Sequence, residues 1–231
     1  VWDALATRVH VQRAPNAHPT SVATTVRLEQ FRAREFMPAG VLTRWTTERY
    51  PDSREAPWRQ SVIDALLYVA KFAPYEQFIA CVDSALVTRT LPASGLRALT
   101  ALLPRRLHNY LADICPRSEA GIETLPRLRL SPLVRSIEPQ ASVPGLGQSG
   151  GDGRIDLLID GLLAFEADGD GWHDPAADWL RDQQLILRGY YPVHFGLRQI
   201  VDGWPQVEAT VLELLRYPPL DVGRGIRARR S

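Results

Sequence analysis

The chain has 231 residues, of which 45% are hydrophobic and 23% charged, and its formal net charge is +1. This composition is typical of a globular protein and not of a disordered one, and the length is sufficient for two domains. No apolar run approaches the ~20 residues that span a bilayer, so we exclude an integral membrane protein. The two cysteines are too few for a disulfide framework or a four-thiolate zinc site.

The ends of the chain give expectations about its context. The first residue is Val1 and not Met, from which we expect a fragment or a processed chain with sequence missing upstream. No charged segment followed by an apolar one opens the chain, so we predict no secretory leader and a cytoplasmic protein with reduced cysteines. The arginine-rich residues 219–231 are predicted to be a disordered basic tail. Lys71 is the only lysine, so no mechanism in the C-terminal half can use one.

Residues 1–116 are predicted to form a mixed, mainly helical N-terminal domain. β-Branched and partly alternating residues predict strands at 8–12, 21–28 and 40–45. Apolar residues at helical spacing then predict helices over 62–70, 75–86, 96–103 and 105–114. Ser94 is a candidate N-cap for the third of these helices. The Cys-Pro-Arg-Ser segment at 115–118 is the predicted domain boundary.

Residues 117–218 are predicted to form an α/β domain. Ser118 is expected to cap a helix that runs to residue 130, with Pro126 kinking it or moving its start. Strands are predicted at 140–143, 154–159, 162–167 and 191–195. Pro175 follows an N-cap residue and Gly189 ends the pattern, which predicts a helix over 175–188. A last helix is expected over 204–216, so the element order is α-β-β-β-α-β-α.

The register of the hairpin at Asp160-Gly161 decides which side chains share a face of the sheet. A tight two-residue turn would pair Ile159 with Leu162 and would place Asp156 and Glu166 on opposite faces. A three-residue connection, or a bulge, would pair Ile159 with Leu163 and bring the two acids together. We predict the odd-length connection, with Gly161 or its neighbour at positive φ.

The acidic residues around this hairpin are the main candidates for chemistry. Glu166 and Asp168 are two apart on a strand, so they leave the same face, and Asp156 lies on the neighbouring strand. Three crowded carboxylates need a cation, a shared proton or solvent. Their oxygens suit Mg²⁺ or Mn²⁺, which could activate a water and stabilise a transferring phosphoryl group. The alternative is a solvated acidic turn, against which the apolar strands on both sides argue.

The histidines of this region are weaker signals. His173, five residues after Asp168, is either a general acid or base or a hydrogen-bonded structural residue. His194 lies on a strand beside an apolar residue, so we expect it to be buried in the core. For Asp182 we expect a local salt bridge or cap. Arg154 and Arg181 are candidates for contacts with nucleic-acid phosphates, although simple solvation is the alternative for each.

Several short segments occur together in the C-terminal region. They are Gly-Ile-Glu-Thr-Leu at 121–125, Arg-Ile-Asp-Leu-Leu at 154–158, Phe-Glu-Ala-Asp-Gly at 165–169 with Trp172-His173, Arg181-Asp182, and Gly189-Tyr190. This ordered set resembles the very-short-patch-repair-like endonuclease domains of the PD-(D/E)xK superfamily, over about residues 117 to 216. The upstream part resembles the helical region that precedes such domains in actinobacterial proteins akin to abortive-infection antitoxins.

The resemblance implies a fold and a set of roles. The fold would be a restriction-endonuclease-like αβββαβ core. Asp156 and Glu166 would hold the metal and the Ala167 carbonyl would complete its ligands, with Glu123 as a further acid beside them. Asp168 departs from the superfamily pattern, because its position is usually a lysine, and His173 could substitute as general acid or base.

Two main functions are therefore expected as alternatives. The first is a Mg²⁺- or Mn²⁺-dependent endonuclease that cleaves DNA, in defence or repair, and leaves a 3′-hydroxyl and a 5′-phosphate. The second is a DNA-binding regulator of toxin–antitoxin type that has little or no catalytic activity. A third, purely structural role would predict that Asp156 and Glu166 point away from each other.

Overall fold

The structure is a computed structural model that describes residues 9–13, 41–45, 60–118, 121–147, 151–169 and 175–217. At the N-terminus, β1 (Val9–Arg13) and β2 (Val41–Trp45) form a two-stranded parallel sheet of their own, with Val9 opposite Val41. Both strands agree with the sequence-based prediction. The strand predicted at 21–28, the basic tail and His173 lie outside the described residues.

A helical layer follows the first two strands. It consists of α1 (Val62–Phe72), α2 (Tyr75–Val87), α3 (Ala93–Leu102) and a 3₁₀ helix (Arg105–Asp113). Ser61 caps α1, because its hydroxyl accepts a hydrogen bond from the N–H of Asp64 at 3.0 Å. The prediction that Ser94 caps the third helix is wrong, since that helix already begins at Ala93 with Pro92 as its N-cap.

The C-terminal half contains a four-stranded mixed sheet. Its elements are α4 (Gly121–Leu130), β3 (Ile137–Val143), β4 (Gly153–Ile159), β5 (Leu163–Asp168), α5 (Pro175–Leu187), β6 (Tyr191–Gly196), α6 (Leu197–Val201) and α7 (Trp204–Arg216). The strand order is β3-β4-β5-β6, with β5 and β6 parallel and the other pairs antiparallel. The predicted element order is confirmed, and the short α6 is the one addition within the described residues. Pro126 lies inside α4. The buried Ser118 hydroxyl has no hydrogen-bond partner and therefore does not cap this helix.

The hairpin between β4 and β5 has the predicted three-residue connection. Ile159 pairs with Leu163, and both Asp160 and Gly161 have positive φ, at 52° and 68°. The Asp160 carboxylate accepts hydrogen bonds from the backbone N–H groups of Arg135 and Ser136, at 2.8 and 2.9 Å. The side chain of Asp160 therefore ties the left-handed turn to the chain segment that precedes β3, and this contact stabilises the turn.

Helices cover both faces of the sheet. On one face α4, α6 and α7 pack against the buried Leu157, Ile159, Leu163 and Phe165. On the other face Leu185 of α5 packs in a smaller cluster with buried residues of β3, β4 and β5, namely Ala141, Val143, Ile155 and Ala164. Along β4, Ile155 therefore belongs to one hydrophobic cluster and Leu157 to the other, and Asp156 lies between them.

The helical layer packs directly against the C-terminal half. Ala80 of α2 belongs to the cluster that contains α4 and the sheet, and Leu128 of α4 belongs to the cluster of α1 to α3. Asp83, which is fully buried, accepts hydrogen bonds from Cys115 N–H, Thr124 Oγ1 and Arg127 Nη2. The predicted boundary at 115–118 is therefore anchored to α2. Within the described ranges, we find no helix with the length and apolarity needed to cross a membrane.

Candidate functional site

The candidate site lies where β4 and β5 separate. Their backbone pairing covers the three residue pairs from Ile159–Leu163 to Leu157–Phe165 and ends there. The same register would next place Asp156 opposite Glu166. Instead, Asp156 Oδ2 accepts a hydrogen bond from Ala167 N–H at 2.9 Å. The Asp156 carboxylate thus accepts the hydrogen bond from Ala167 N–H that a backbone carbonyl would accept in a regular pair of strands.

Glu166 is a deeply buried acid of the site, with 5% of its surface exposed. Its Oε1 pairs with Arg181 Nη1 of α5 at 2.7 Å, and its carboxylate accepts a hydrogen bond from the Asp156 N–H. Burial nevertheless raises the pKa of Glu166 to about 7, and the negative charge of Asp156 contributes to this rise. The Asp156 carboxylate therefore lies close enough to Glu166 to affect its ionisation.

Asp156 shares this environment. Burial raises the pKa of its carboxyl group, while the hydrogen bond from Ala167 and the charge of Arg181 act in the opposite direction. The negative charge of Asp168 raises the pKa further. The charges of Asp168 and Arg181 therefore act on Asp156 in opposite directions, and the crowding of all three acids around one cation stays a prediction.

Glu123 reaches the site from the other side of the sheet through Gln140. Glu123 lies in the first turn of α4 and is buried. Gln140 of β3 lies across from Asp156, and its Nε2 donates to Glu123 Oε2 at 2.9 Å and to Asp156 Oδ1 at 3.3 Å. The backbone of Gln140 has a φ of 52°, which is rare for a residue with a side chain. Sequence reasoning missed Gln140, because nothing in a mid-strand glutamine indicates this conformation.

His194 forms a second group with two carboxylates beside the first. Its Nδ1 lies 3.2 Å from Asp168 Oδ2, and its Nε2 lies 3.1 Å from Asp182 Oδ1 of α5. Burial alone lowers the pKa of His194, but the hydrogen bond with Asp182 and the charges of both acids outweigh it and raise the pKa. The expectation of core burial is wrong for His194, because its side chain faces α5 and solvent. Asp182 does form an ion pair, but its partner is His194 on β6 and not the local one that we expected.

His194 also lies beside Glu166. The two residues are partners in the parallel pairing of β5 with β6, so their side chains leave the same face of the sheet. The sequence offered one usable signal for this arrangement. Asp182 follows Arg181 directly on α5, and both reach the same sheet face.

The remaining predicted site residues have simpler surroundings. Arg154 is exposed, and its backbone carbonyl accepts a hydrogen bond from Arg181 Nη2. Arg181 is ion-paired, so simple solvation is the wrong alternative for it. Ala167 is tied to Asp156 through its N–H. Four of the five predicted catalytic residues are therefore in or beside the site, and His173 lies outside the described residues.

A divalent metal ion fits part of this arrangement. Asp156 and Glu166 provide adjacent carboxylates whose pKa values are raised, mainly by burial, so a bound cation would favour their charged forms. Across the described ranges, no three His, Cys, Asp or Glu side chains are arranged to hold a metal by themselves. The donors that fit are therefore the two carboxylates of Asp156 and Glu166, which suits Mg²⁺ because this ion keeps several of its waters.

Comparison with known proteins gives no neighbour for this chain. No protein-family model, curated protein or solved structure matches it at a significant level.

Proposed function

We propose that this protein is an endonuclease that cleaves DNA phosphodiester bonds with the help of Mg²⁺ or Mn²⁺. The observation that carries this proposal is the pair formed by the half-buried Asp156 and the buried Glu166, where β4 and β5 separate. Two adjacent acids in this environment favour a bound cation. The sequence resemblance to very-short-patch-repair-like endonucleases adds support, and the element order from α4 to β6 is compatible with a restriction-endonuclease-like core.

Each group of the site receives a role in this proposal. Asp156, Glu166 and the Ala167 carbonyl would hold the ion, which would supply activation of a water and charge stabilisation at the phosphoryl group. Arg181 would neutralise Glu166 in the metal-free protein and would contact phosphate oxygens when DNA binds. Glu123 would orient Asp156 through Gln140. The products would be a 3′-hydroxyl and a 5′-phosphate, as in the superfamily it resembles.

The missing lysine requires another group that carries a proton or a positive charge. Asp168 has the position of the superfamily's lysine and therefore cannot supply that charge. His194 is hydrogen-bonded to Asp168, lies beside Glu166 in the sheet, and has a raised pKa. We assign to His194 the proton transfer at the site, and His173 remains the candidate from the sequence.

A DNA-binding regulator without catalytic activity is the second candidate function. The observation that favours it is the ion pair between Glu166 and Arg181, at 2.7 Å, which already gives this buried acid a permanent counter-charge. In such a protein the acids would be structural, and the exposed arginines would provide the affinity for DNA. Metal-dependent cleavage is the property that separates the two functions.

The test is a plasmid-nicking assay. Wild-type protein is incubated with supercoiled DNA and Mg²⁺ or Mn²⁺, beside Asp156→Ala and Glu166→Ala. We expect metal-dependent nicking by the wild type and a loss of at least about 100-fold in both variants, because each removes a ligand of the ion. Glu138→Ala is the matched control, since Glu138 is an exposed acid on the same sheet.

Two results would contradict the nuclease. Nicking that persists in both variants would show that a contaminant or another site acts on the DNA. Retarded migration of DNA without any nicking in either metal would favour the regulator.

DNA binding itself should depend strongly on salt. Arginines that contact phosphates release counterions, so the logarithm of the affinity falls linearly with the logarithm of the salt concentration. We expect the dissociation constant to rise at least about tenfold between low and moderate salt, measured by fluorescence anisotropy with a labelled duplex. Arg154→Ala should reduce the slope. An affinity that is constant across this range would argue against a nucleic-acid partner.

A further inference from the structure

We infer that Gln140 is a positioning residue of the candidate cation site, and that its left-handed backbone is maintained for this purpose. This inference rests on the proposed function, because it concerns how the chain holds Asp156 in place for a metal ion. Gln140 lies in the middle of β3, and its contacts reach two separate elements, α4 and β4.

The backbone conformation at Gln140 is the first observation. Its φ is 52°, although the residues on both sides keep their regular partners, Pro139 with Leu157 and Ala141 with Ile155. A left-handed conformation is unfavourable for residues with a Cβ atom other than Asn and Asp. Such strain persists only where the surrounding structure enforces it, and it is concentrated at functional sites. The ladder between β3 and β4 continues on both sides of Gln140.

The side chain of Gln140 gives the second observation. Its amide nitrogen has two hydrogens, and it lies within hydrogen-bond distance of one carboxylate oxygen of Glu123 and one of Asp156. A neutral donor between two acids stabilises both in the charged form. Asp156 Oδ2 is held by Ala167 N–H, so both oxygens of this carboxylate have a fixed partner. Gln140 thus completes the orientation of the acid that we assign to the ion.

The packing around Gln140 is the third observation. Ala141 and Ile155 pack with Leu185 of α5, whereas Leu157 packs with α4 and α7. The change of cluster occurs at the position of Gln140 and Asp156. The positive φ of Gln140 therefore occurs where the inward-facing side chains of β3 and β4 change from one hydrophobic cluster to the other. Asp156 lies at the same position along the strand pair.

The test separates positioning from a structural role by measuring two quantities. Gln140→Gly relieves the backbone strain and removes the amide, while Gln140→Asn also tolerates positive φ but has a shorter side chain. We expect both variants to bind Mn²⁺ about tenfold more weakly than the wild type at about pH 8, measured from the electron paramagnetic resonance signal of free Mn²⁺. We expect their urea unfolding midpoints without metal to be equal to or higher than that of the wild type.

Ser142→Gly is the matched control, because Ser142 is an exposed residue two positions further along the same strand. It should lower the unfolding midpoint and leave Mn²⁺ affinity unchanged. Wild-type Mn²⁺ affinity in the Gln140 variants would overturn the inference, and so would a fall in their midpoints that accompanies the weaker binding. If the wild type binds Mn²⁺ no better than Asp156→Ala, the proposed metal site is wrong and the inference fails with it. Binding that depends on Asp156 but not on Gln140 would overturn the inference alone.

Discussion

At the scale of single residues, the site is governed by the cost of burying charge. Glu166 is buried next to Asp156, and the single salt bridge with Arg181 does not compensate for the loss of water. The metal-free protein therefore holds an acid whose pKa lies close to physiological pH. Because the pKa of Glu166 differs between the folded and the unfolded protein, the free energy of unfolding depends on pH. Replacing Glu166 with glutamine, which resembles the protonated carboxyl group, allows this dependence to be measured.

The first prediction concerns Glu166→Gln in metal-free buffer. The pKa of Glu166 rises from its usual 4.5 to about 7, so the folded protein binds more protons than the unfolded chain between these values, and wild-type stability falls as the pH rises through this window. The variant lacks this fall. At about pH 8 we expect it to be more stable than the wild type, by at most about 3 kcal/mol, and near equal at about pH 4. Urea unfolding with EDTA measures this.

Glu138→Gln is the control for this comparison, because Glu138 is an exposed acid of the same sheet and should show no such difference. A Glu166→Gln variant that is less stable than the wild type at about pH 8 would mean that the ion pair with Arg181 outweighs the effect of burial.

His194 allows a second prediction at this scale. The hydrogen bond with Asp182 and the charges of Asp168 and Asp182 raise the pKa of His194 against the effect of burial. Asp182→Asn removes one of these charges, so the pKa of His194 should fall. Histidine proton resonances followed against pH by NMR measure the change, with His194→Gln to assign the signal. An unchanged His194 titration would show that the contact with Asp182 is absent in solution.

At the scale of elements, the hairpin between β4 and β5 decides whether a site can exist at all. The sequence predicted its register correctly, because an Asp-Gly pair between apolar strands restricts the turn to a few geometries and only an odd connection brings the acids together. The helices were predictable from the spacing of their apolar residues, and the ends of α5 also from Pro175 and Gly189. The cap of α3 was not, because Pro92 begins that helix without any side-chain hydrogen bond.

The candidate site was predictable only in part. Asp156 and Glu166 follow from strand alternation, which is local information. Gln140 and His194 depend on what lies across from them in the folded chain, namely Glu123 of α4 and Asp182 of α5. No pattern along β3 indicates a left-handed glutamine. The exposure of His194 is unexpected in a strand that carries the buried Phe195, but β6 is the last strand in the order of the described sheet.

The third prediction tests the hairpin with Gly161→Ala. Gly161 has a φ of 68°, and no atom lies within 4 Å of the position that a Cβ would take. The substitution therefore introduces backbone strain without a clash and should destabilise the protein by about 1 kcal/mol. Gly169→Ala is the matched control, because it also has open space but no positive φ, and it should change stability little. Equal unfolding midpoints for the two variants would contradict the left-handed turn.

At the scale of the whole molecule, the helical layer and the sheet are joined through α4. Arg129 of α4 forms a bidentate salt bridge with Glu76 of α2 and donates to the Ile200 carbonyl of α6. Its guanidinium also lies 4.9 Å from the ring centre of Trp204. On the other side of α4, Arg127 joins Asp83 of α2 to the Asp113 carbonyl. Glu123, which contacts Gln140, is on the same helix, so the helical layer helps to fix the candidate site.

The last prediction follows from the buried carboxylate of Asp83. Its three hydrogen bonds tie α2 to Cys115, Thr124 and Arg127, and burial raises its pKa against their effect. Asp83→Ala leaves Arg127 without its counter-charge and should destabilise the fold by about 3–5 kcal/mol. Because α4 belongs to both hydrophobic clusters, hydrogen exchange measured by mass spectrometry should increase together in 62–113 and 137–196.

A double variant at Asp83 and Arg127, and a single variant at Arg129, complete this test. Asp83→Asn combined with Arg127→Met removes both charges, so it should cost less than Asp83→Ala alone, since no buried charge then remains unpaired. Arg129→Met should weaken the same junction from the other side of α4, by less, because Arg129 and Glu76 are both partly exposed and their salt bridge is weakened by solvent. If Asp83→Ala increased exchange in 62–113 alone, the sheet would be stable without the helical layer, and the predicted boundary at 115–118 would separate two independent units.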